Sequence, residues 1–263
     1  MAAPKSVKTS RRSCRIVGVI TTGSDLRLAL RMAHPPDLFE LRLDYLVGIE
    51  KEMKNKVSRL RVPVIITARH PAEGGANNLS LKRRSELLWR FLPHARYIDL
   101  ELRSVRGFRS LLEATRRQNV GRIISLHHLN STPTSRKLHA RARAAKSHGA
   151  DFFKIATRTD TPAQLARLLD FVSHEDASLP LIAMGIGKLG DISRIALACA
   201  GSVLAYASLA EKRVEGQLSV EQLRAAFDIF EIGPGRSPRV CHVERSRDIS
   251  YHLRPKREDE RKQ

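Results

Sequence analysis

Lys154 stands at the end of the apolar run Asp151-Phe152-Phe153-Lys154-Ile155, and His127 at the end of an earlier one, Ile123-Ile124-Ser125-Leu126-His127. A lysine held at the buried end of a strand is expensive unless its amine is used, because desolvation disfavours the ammonium and leaves a nucleophilic free base. That chemistry is imine formation with a ketone or aldehyde. A histidine in the same pocket moves protons near neutral pH, so the pair suggests a Schiff-base centre with an imidazole acid/base. An isolated lysine at a strand end is more often a side chain that snorkels to water. The residues around it must decide.

Other chemistry-bearing residues gather at comparable places. In Glu40-Leu41-Arg42-Leu43-Asp44 the alternation of a strand sends Glu40, Arg42 and Asp44 to one side, where a structural ion-pair cluster and a substrate-binding set are both open readings. Thr67-Ala68-Arg69 runs into Pro71-Ala72-Glu73-Gly74-Gly75, a turn whose glycines allow close backbone approach and which sets Arg69 and Glu73 at the mouth of a site. Met184-Gly185-Ile186-Gly187 leads to Ser193-Arg194, and a later loop ends in Gly216-Gln217.

The elements that position these residues are short apolar runs alternating with helical patterns. Eight runs have strand length: 15–20, 38–43, 62–68, 97–102, 122–127, 151–156, 180–184 and 203–206. Fully buried parallel strands read this way. Between them lie helical patterns over 79–91, 104–118, 134–147, 162–173 and 219–230, with Thr161-Pro162 forming an N-cap followed by proline at the first helical position. Eight strand-helix units in 263 residues predict an α/β (β/α)8 TIM barrel, and no glycine fingerprint for a dinucleotide follows the first strand. In such a barrel the chemistry lies at the C-terminal strand ends, where all the motifs above fall.

One barrel over 15–232 is expected, between a basic N-terminal extension over 1–14 and a tail over 233–263 whose mixed charge and sparse apolar content predict disorder. Cys14, Cys199 and Cys241 are odd in number and widely spaced, so neither a disulfide framework nor a metal site is suggested and a reducing cytoplasm fits. No apolar stretch has the length of a membrane span. The formal net charge of +20 raises nucleic-acid binding, but it reads as scattered over the ends and helical faces with only 5% aromatic residues, so nucleic-acid readout is not expected. An anionic small-molecule substrate is compatible with the charge.

Taken together, Glu40-Leu-Arg-Leu-Asp44, Arg69-His-Pro-Ala-Glu-Gly-Gly75, Asp99-Leu-Glu101, Ser125-Leu-His127 with Thr132-Pro133, Phe153-Lys154-Ile155, Ser193-Arg194 and Gly216-Gln217 resemble type I 3-dehydroquinate dehydratase, the Schiff-base enzyme of the shikimate pathway. The resemblance covers roughly residues 15 to 230. It implies that Lys154 forms an imine with 3-dehydroquinate, that His127 is the general acid/base, and that Glu73 orients the histidine. It implies further that Arg194 and Gln217 hold the substrate carboxylate, that Glu40, Arg42 and Arg69 hold the ring hydroxyls, and that Met184 packs near the imine or simply fills the barrel. No metal or organic cofactor is implied, and a cytoplasmic homodimer is.

Two departures from the family pattern matter. His128 stands where the family usually has aspartate, and because adjacent strand positions point opposite ways it is expected outside the barrel. In the lid loop, Arg213-Val214-Glu215-Gly216-Gln217 puts Arg213 where the family has a serine hydroxyl and Glu215 where it has proline. Arg213 is expected to reach the substrate carboxylate, and loss of the proline to loosen the loop. The rival readings are another imine-forming barrel lyase, such as an aldolase, and a basic nucleic-acid or anionic-surface binding protein on an inactive barrel.

Overall fold

The structure, a computed structural model, describes residues 14–174, 178–210 and 214–233. Eight strands lie parallel: β1 (Arg15–Ile20), β2 (Leu38–Arg42), β3 (Val64–Thr67), β4 (Tyr97–Glu101), β5 (Gly121–His128), β6 (Phe152–Arg158), β7 (Leu181–Ile186) and β8 (Leu204–Ser208). They pair in the order β7-β6-β5-β4-β3-β2-β1-β8. The ends of that row come together through a hydrogen bond from the Val203 amide to the Leu181 carbonyl (2.9 Å), which makes the sheet a nearly closed barrel. Among the described residues eight α-helices cover it: α1 (Gly23–Arg31), α2 (Glu50–Val57), α3 (Leu81–Phe91), α4 (Arg109–Arg117), α5 (Ser135–Ser147), α6 (Pro162–Ser173), α7 (Gly190–Ala200) and α8 (Val220–Ile229). The (β/α)8 expectation holds. None of these helices is long and apolar enough to cross a membrane.

Strand alternation sorts the apolar residues into two cores. Ile16, Phe39, Ile66, Leu100, Phe153 and Ala205 face outward and pack with the helices. Val17, Leu38, Ile65, Ile123, Ile182 and Leu204 face inward and fill the lower barrel. The same parity fixes the site, because the inward residues that follow along each strand are polar.

Some boundaries differ from those expected. The pattern over 104–118 is not one helix: a 3-10 segment over Leu102–Phe108 precedes α4, and within it Gly107 lies close against the Leu81 side chain. Cys14, assigned to the extension, is 2% exposed and belongs to the outer core. The remaining residues of the extension and of the tail, Cys241 included, lie outside the described residues.

Helix starts follow the capping chemistry. Thr22, Thr161 and Ser219 each form a reciprocal capping box, and Pro162 occupies the first turn of α6. Phe171 on α6 packs edge-on against Phe153 of β6, with ring centroids 6.3 Å apart. Truncating Phe171 to alanine is expected to cost about 3–5 kcal/mol, and Thr161→Ala about 1 kcal/mol. Urea denaturation of the two variants checks the ranking, and equal losses would contradict the packing assigned to α6.

Candidate active site

Lys154 lies on β6 with Phe152 and Ala156 on the inward face. The sequence reading put it at the strand end; it is the third of seven strand residues and sits deeper, 3% exposed. Nor is burial alone what surrounds the amine. Its Nζ is 2.9 Å from Asp99 Oδ2 and 3.2 Å from Glu40 Oε1, and it lies 3.8 Å from the centre of the Tyr206 ring. Two carboxylates and an aromatic face hold a cation there.

The carboxylates have partners of their own. Asp99 takes both terminal nitrogens of Arg69, at 3.0 and 2.9 Å, and a hydrogen bond from the Ser125 hydroxyl at 2.6 Å. Arg69 also pairs with Glu101 at 3.0 Å, and Glu101 is met from α3 by Arg84. Thr67 donates to Glu40 at 2.8 Å. Burial works against the Asp99 carboxylate, yet Arg69 and then Lys154 outweigh it and hold its pKa below the usual range. Arg69, expected at the mouth, is 2% exposed and committed to this network.

His127 faces inward and half-buried, whereas His128 faces out, exposed, toward α5. The side assignment expected from alternation is therefore correct. Glu73 Oε2 accepts from the His127 amide at 2.9 Å and lies 3.1 Å from Nδ1. With Nδ1 donating to Glu73, Nε2 presents its lone pair. Burial, then Arg69 and Lys154, lower the imidazole pKa well below its ordinary value, so the base is neutral at pH 7 for reasons other than an unperturbed titration. Burial pushes the Glu73 carboxyl up to about 7, against the pull of the His127 amide and Arg69.

Glu73 is placed by a short 3-10 turn, Pro71–Glu73, which ends in Gly74 at φ +83°. A Cβ on Gly75 would lie 2.2 Å from the Arg69 carbonyl, so the loop closes this tightly only around glycine. Asp44 lies past the end of β2, fully buried; it binds Arg42 through both oxygens, at 2.9 and 2.8 Å, and accepts from the Ala76 amide at 3.0 Å. It thereby ties this loop to β2. Arg42 also donates to the Gly74 carbonyl at 3.2 Å.

Arg194 on α7 completes the opposite wall. Its Nε donates to the Tyr206 carbonyl (2.9 Å), and Nη1 to the carbonyls of Gly185 (3.1 Å), Gly190 and Gly216 (both 2.6 Å). It is 3% exposed with no carboxylate in ion-pair range among the described residues, and burial lowers its pKa to about 10. A buried guanidinium held only by dipoles is a site for an anion.

One cavity of about 140 Å³ collects these groups: Glu40 and Lys154 at its floor, Arg42, Glu73 and His127 on one side, Arg69 behind them. Met184, Arg194 and Gln217 line the other side. Arg213 lies outside the described residues. Glu215 pairs with Arg158 at 3.1 Å, and its carbonyl accepts from the Gly187 amide at 3.1 Å. Gly216, at φ +73°, is in such close contact with the Gly187 and Gly190 backbone that a Cβ would stand 2.4 Å from an oxygen. Sequence reasoning assigned no role to Asp99, Arg84 or Tyr206. Asp99 carried a signal, an acidic residue on an inward strand position, whereas an arginine on an amphipathic helix reads as solvent-exposed. Among the described residues no three histidine, cysteine or acidic groups cluster as a metal site.

A family model described as Type I 3-dehydroquinase matches residues 14–234. A 3-dehydroquinate dehydratase of Pyrococcus abyssi is 34% identical over 202 residues, covering 76% of this chain and 89% of the relative. One from Desulfotalea psychrophila is 31% identical over 223 residues, covering 83% and 97%. The crystal structure of 3-dehydroquinate dehydratase from Geobacillus kaustophilus is similar with a TM-score of 0.76 at 25% identity, covering 84% of this chain and 91% of that one. That from Aquifex aeolicus gives 0.70 at 29% identity, covering 82% and 98%.

The raised Glu73 pKa has a consequence for stability. Because the folded-state value, about 7, lies above the ordinary 4.5, the ionised carboxylate costs stability on the order of 3 kcal/mol above pH 7. That cost shrinks as the pH falls from 7 to 4.5 and is absent below. Glu73→Gln is therefore expected to be more stable than the parent at pH 8, by on the order of 2 kcal/mol, with the gain vanishing near pH 4.5. Urea denaturation across that range tests it; a difference that does not vary with pH would show that Glu73 is not the group responsible.

Proposed function

The chain belongs to the type I 3-dehydroquinase family, and from that premise we propose that it converts 3-dehydroquinate to 3-dehydroshikimate through an imine on Lys154, with His127 as general acid and base. The observation that carries this reading is the buried Lys154 amine between Asp99 and Glu40, at the floor of a cavity whose walls hold a neutral histidine and an arginine with no carboxylate in ion-pair range among the described residues.

Lys154 gives a proton to His127 and its lone pair adds to the substrate ketone carbon. The carbinolamine oxygen takes that proton back from His127 and a second one from the amine nitrogen, and leaves as water as the nitrogen lone pair closes the C=N bond, so that a protonated imine with one N–H remains. This cation occupies the place of the ammonium and keeps Asp99 and Glu40 as counter-charges. His127 Nε2 then removes the α-proton, and the electron pair flows into the iminium to give an enamine. Glu73 stabilises the imidazolium through Nδ1. The enamine expels the β-hydroxyl, which takes the proton from His127 and departs as water; hydrolysis of the conjugated imine releases product and restores the amine. The imine is itself the electron sink, so the scheme calls for no added cofactor.

Arg194 and Gln217 hold the substrate carboxylate, with Arg213 as a further cationic partner from the lid, and the carboxylate supplies the counter-charge that Arg194 otherwise lacks. Glu40 and Arg42 reach the ring hydroxyls. Arg69, whose terminal nitrogens are spent on Asp99, Glu101 and Ser125, acts mainly by holding Asp99 in place. Met184 packs beside the imine. We assign the protein, on family membership, to a cytoplasmic homodimer.

Incubation with 3-dehydroquinate and borohydride, followed by intact mass and peptide mapping, is expected to give one stable adduct on Lys154 and none in Lys154→Ala. Absence of adduct and of enone absorbance in folded protein would overturn the reading. In the pH profile of kcat/KM, activity is expected to fall on the acid side through about pH 7, as Glu73 takes a proton and no longer supports the imidazolium. Glu73→Gln is expected to lower kcat by about 10²- to 10³-fold and to abolish that limb; a limb left in place would assign it elsewhere.

A further inference from the structure

The charge is not spread evenly over the barrel. Between residues 82 and 147 there are 16 lysines and arginines against 4 aspartates and glutamates, a net +12. All other described residues together carry 16 basic and 15 acidic side chains, a net +1. Two of the four acids, Asp99 and Glu101, are spent inside the barrel. On the outside of this segment 13 basic residues are exposed against two acidic ones, Glu86 and Glu113.

The segment is one sector in space. β3, β4, β5 and β6 are neighbours in the sheet, α3 packs on β3, α4 on β5 and α5 on β6, so the outer faces of these helices adjoin. α5 has no acidic residue along its whole length. Two hollows interrupt the sector. One, of about 350 Å³ at the N-terminal ends of β4 to β6, is lined by Arg96, Arg116, Asn119 and Arg122. There Arg122 is paired with Asp151, while Arg116 has no ion-pair partner among the described residues. The other, of about 430 Å³ between β5 and α5, is lined by His128, Lys137 and Arg141.

We propose that the α3–α5 sector is a binding surface for the phosphate backbone of single-stranded nucleic acid, separate from the catalytic cavity and independent of the reaction carried out there. Ten of the 13 exposed cations are arginines, whose planar forks match phosphate oxygens in pairs. The outer surface of a barrel is convex, so a stiff duplex would touch it along a line, whereas a flexible strand can follow it and lower phosphates into both hollows. Steering of a small anion to the active site accounts for only part of the sector, because Arg96, Arg116 and Arg117 lie, with the first hollow, at the end of the barrel opposite the mouth. Like charge disfavours pairing of this face with its own copy. Trp89 is the one exposed aromatic ring in the sector among the described residues, so stacking contributes little and binding is electrostatic, without base readout.

The test is fluorescence anisotropy of the full chain with labelled single-stranded oligonucleotides about 20 nucleotides long, of mixed and of homopolymer sequence. The expected result is binding that ignores sequence and weakens with salt from roughly 50 to 200 mM, with a log–log slope of about −3 to −4, corresponding to about five phosphates. The combined variant Arg116→Glu, Arg117→Glu, Arg136→Glu and Arg141→Glu is expected to lose at least about 10-fold in affinity at the lower salt, while far-UV circular dichroism and the thermal midpoint verify its fold. Should that variant be misfolded, the neutral pair Arg116→Gln and Arg141→Gln is expected to weaken binding about 3-fold or more. Unchanged affinity in a folded variant, a salt-independent signal, or equal competition by polyglutamate or by anionic lipid vesicles would overturn the proposal.

Discussion

Everything in the interior answers to one constraint: a lysine amine has been placed where water does not reach. A lone buried ammonium would cost several kcal/mol, and removal of one partner from a buried pair typically costs about 3–5 kcal/mol. The barrel meets this with a chain of alternating charge, Glu40, Lys154, Asp99, Arg69, Glu101 and Arg84, drawn from β2, β6, β4, the end of β3 and α3. Three cations face three anions, and Thr67, Ser125 and Ser104 take up remaining hydrogen-bonding capacity. The sum is zero. Converting the ammonium to a protonated imine leaves that sum unchanged, so the surrounding dipoles and charges need not reorganise when the electron sink is formed.

Arg69 and Arg194 are equally buried and electrostatically opposite. Arg69 meets two carboxylates, which raise its pKa well above the ordinary value in spite of burial. Arg194 meets four carbonyls and, among the described residues, no carboxylate in ion-pair range, and burial prevails. The first is a strut with its capacity spent, the second an anchor with capacity in reserve. Glu73 stands between these cases: desolvated enough to rise to about 7, yet held by the His127 amide so that its carboxylate still faces the imidazole. Stability is spent there in exchange for a base whose proton can come and go.

The barrel was legible in the sequence because parallel strands covered on both faces are short, apolar and separated by helical patterns. All eight strands fall where the runs of Ile, Val and Leu predict, and Pro162 begins α6 as its position after Thr161 suggests. His127 and Lys154 could be placed inside by parity alone. What parity cannot supply is depth and partnership. Lys154 reads as the end of its run, but β6 continues through Ala156 and Thr157 to Arg158, because the small and polar residues that follow still pair with β7. Asp99 and Lys154 are 55 residues apart and meet only through closure of the barrel. Arg84 has the spacing of an exposed helical arginine and is 1% exposed, because Glu101 and the Ala68 carbonyl wait beneath it. Glu215 looked like a lost proline, and its contact with Arg158 depends on two strand ends that the linear sequence does not bring together.

Net charge shows the same limit from the other side. A total of +20 says nothing about where charge lies, and residues 82–147 read as basic faces scattered between strands. In a barrel built of consecutive strand-helix units, however, helices adjacent in sequence are adjacent in space, so a bias confined to three successive units becomes a continuous surface. An open doubly wound sheet would divide the same helices between its two faces and dilute the bias. The topology that gathers Glu40, Asp99 and Lys154 inside the barrel from distant strands is thus also the reason that a local run of arginines on its outside forms one sector. The neutral interior sum and the net +11 exposed outside it, 13 basic against two acidic side chains, can change independently, because alternate positions of each strand and the outer faces of each helix share no side chains.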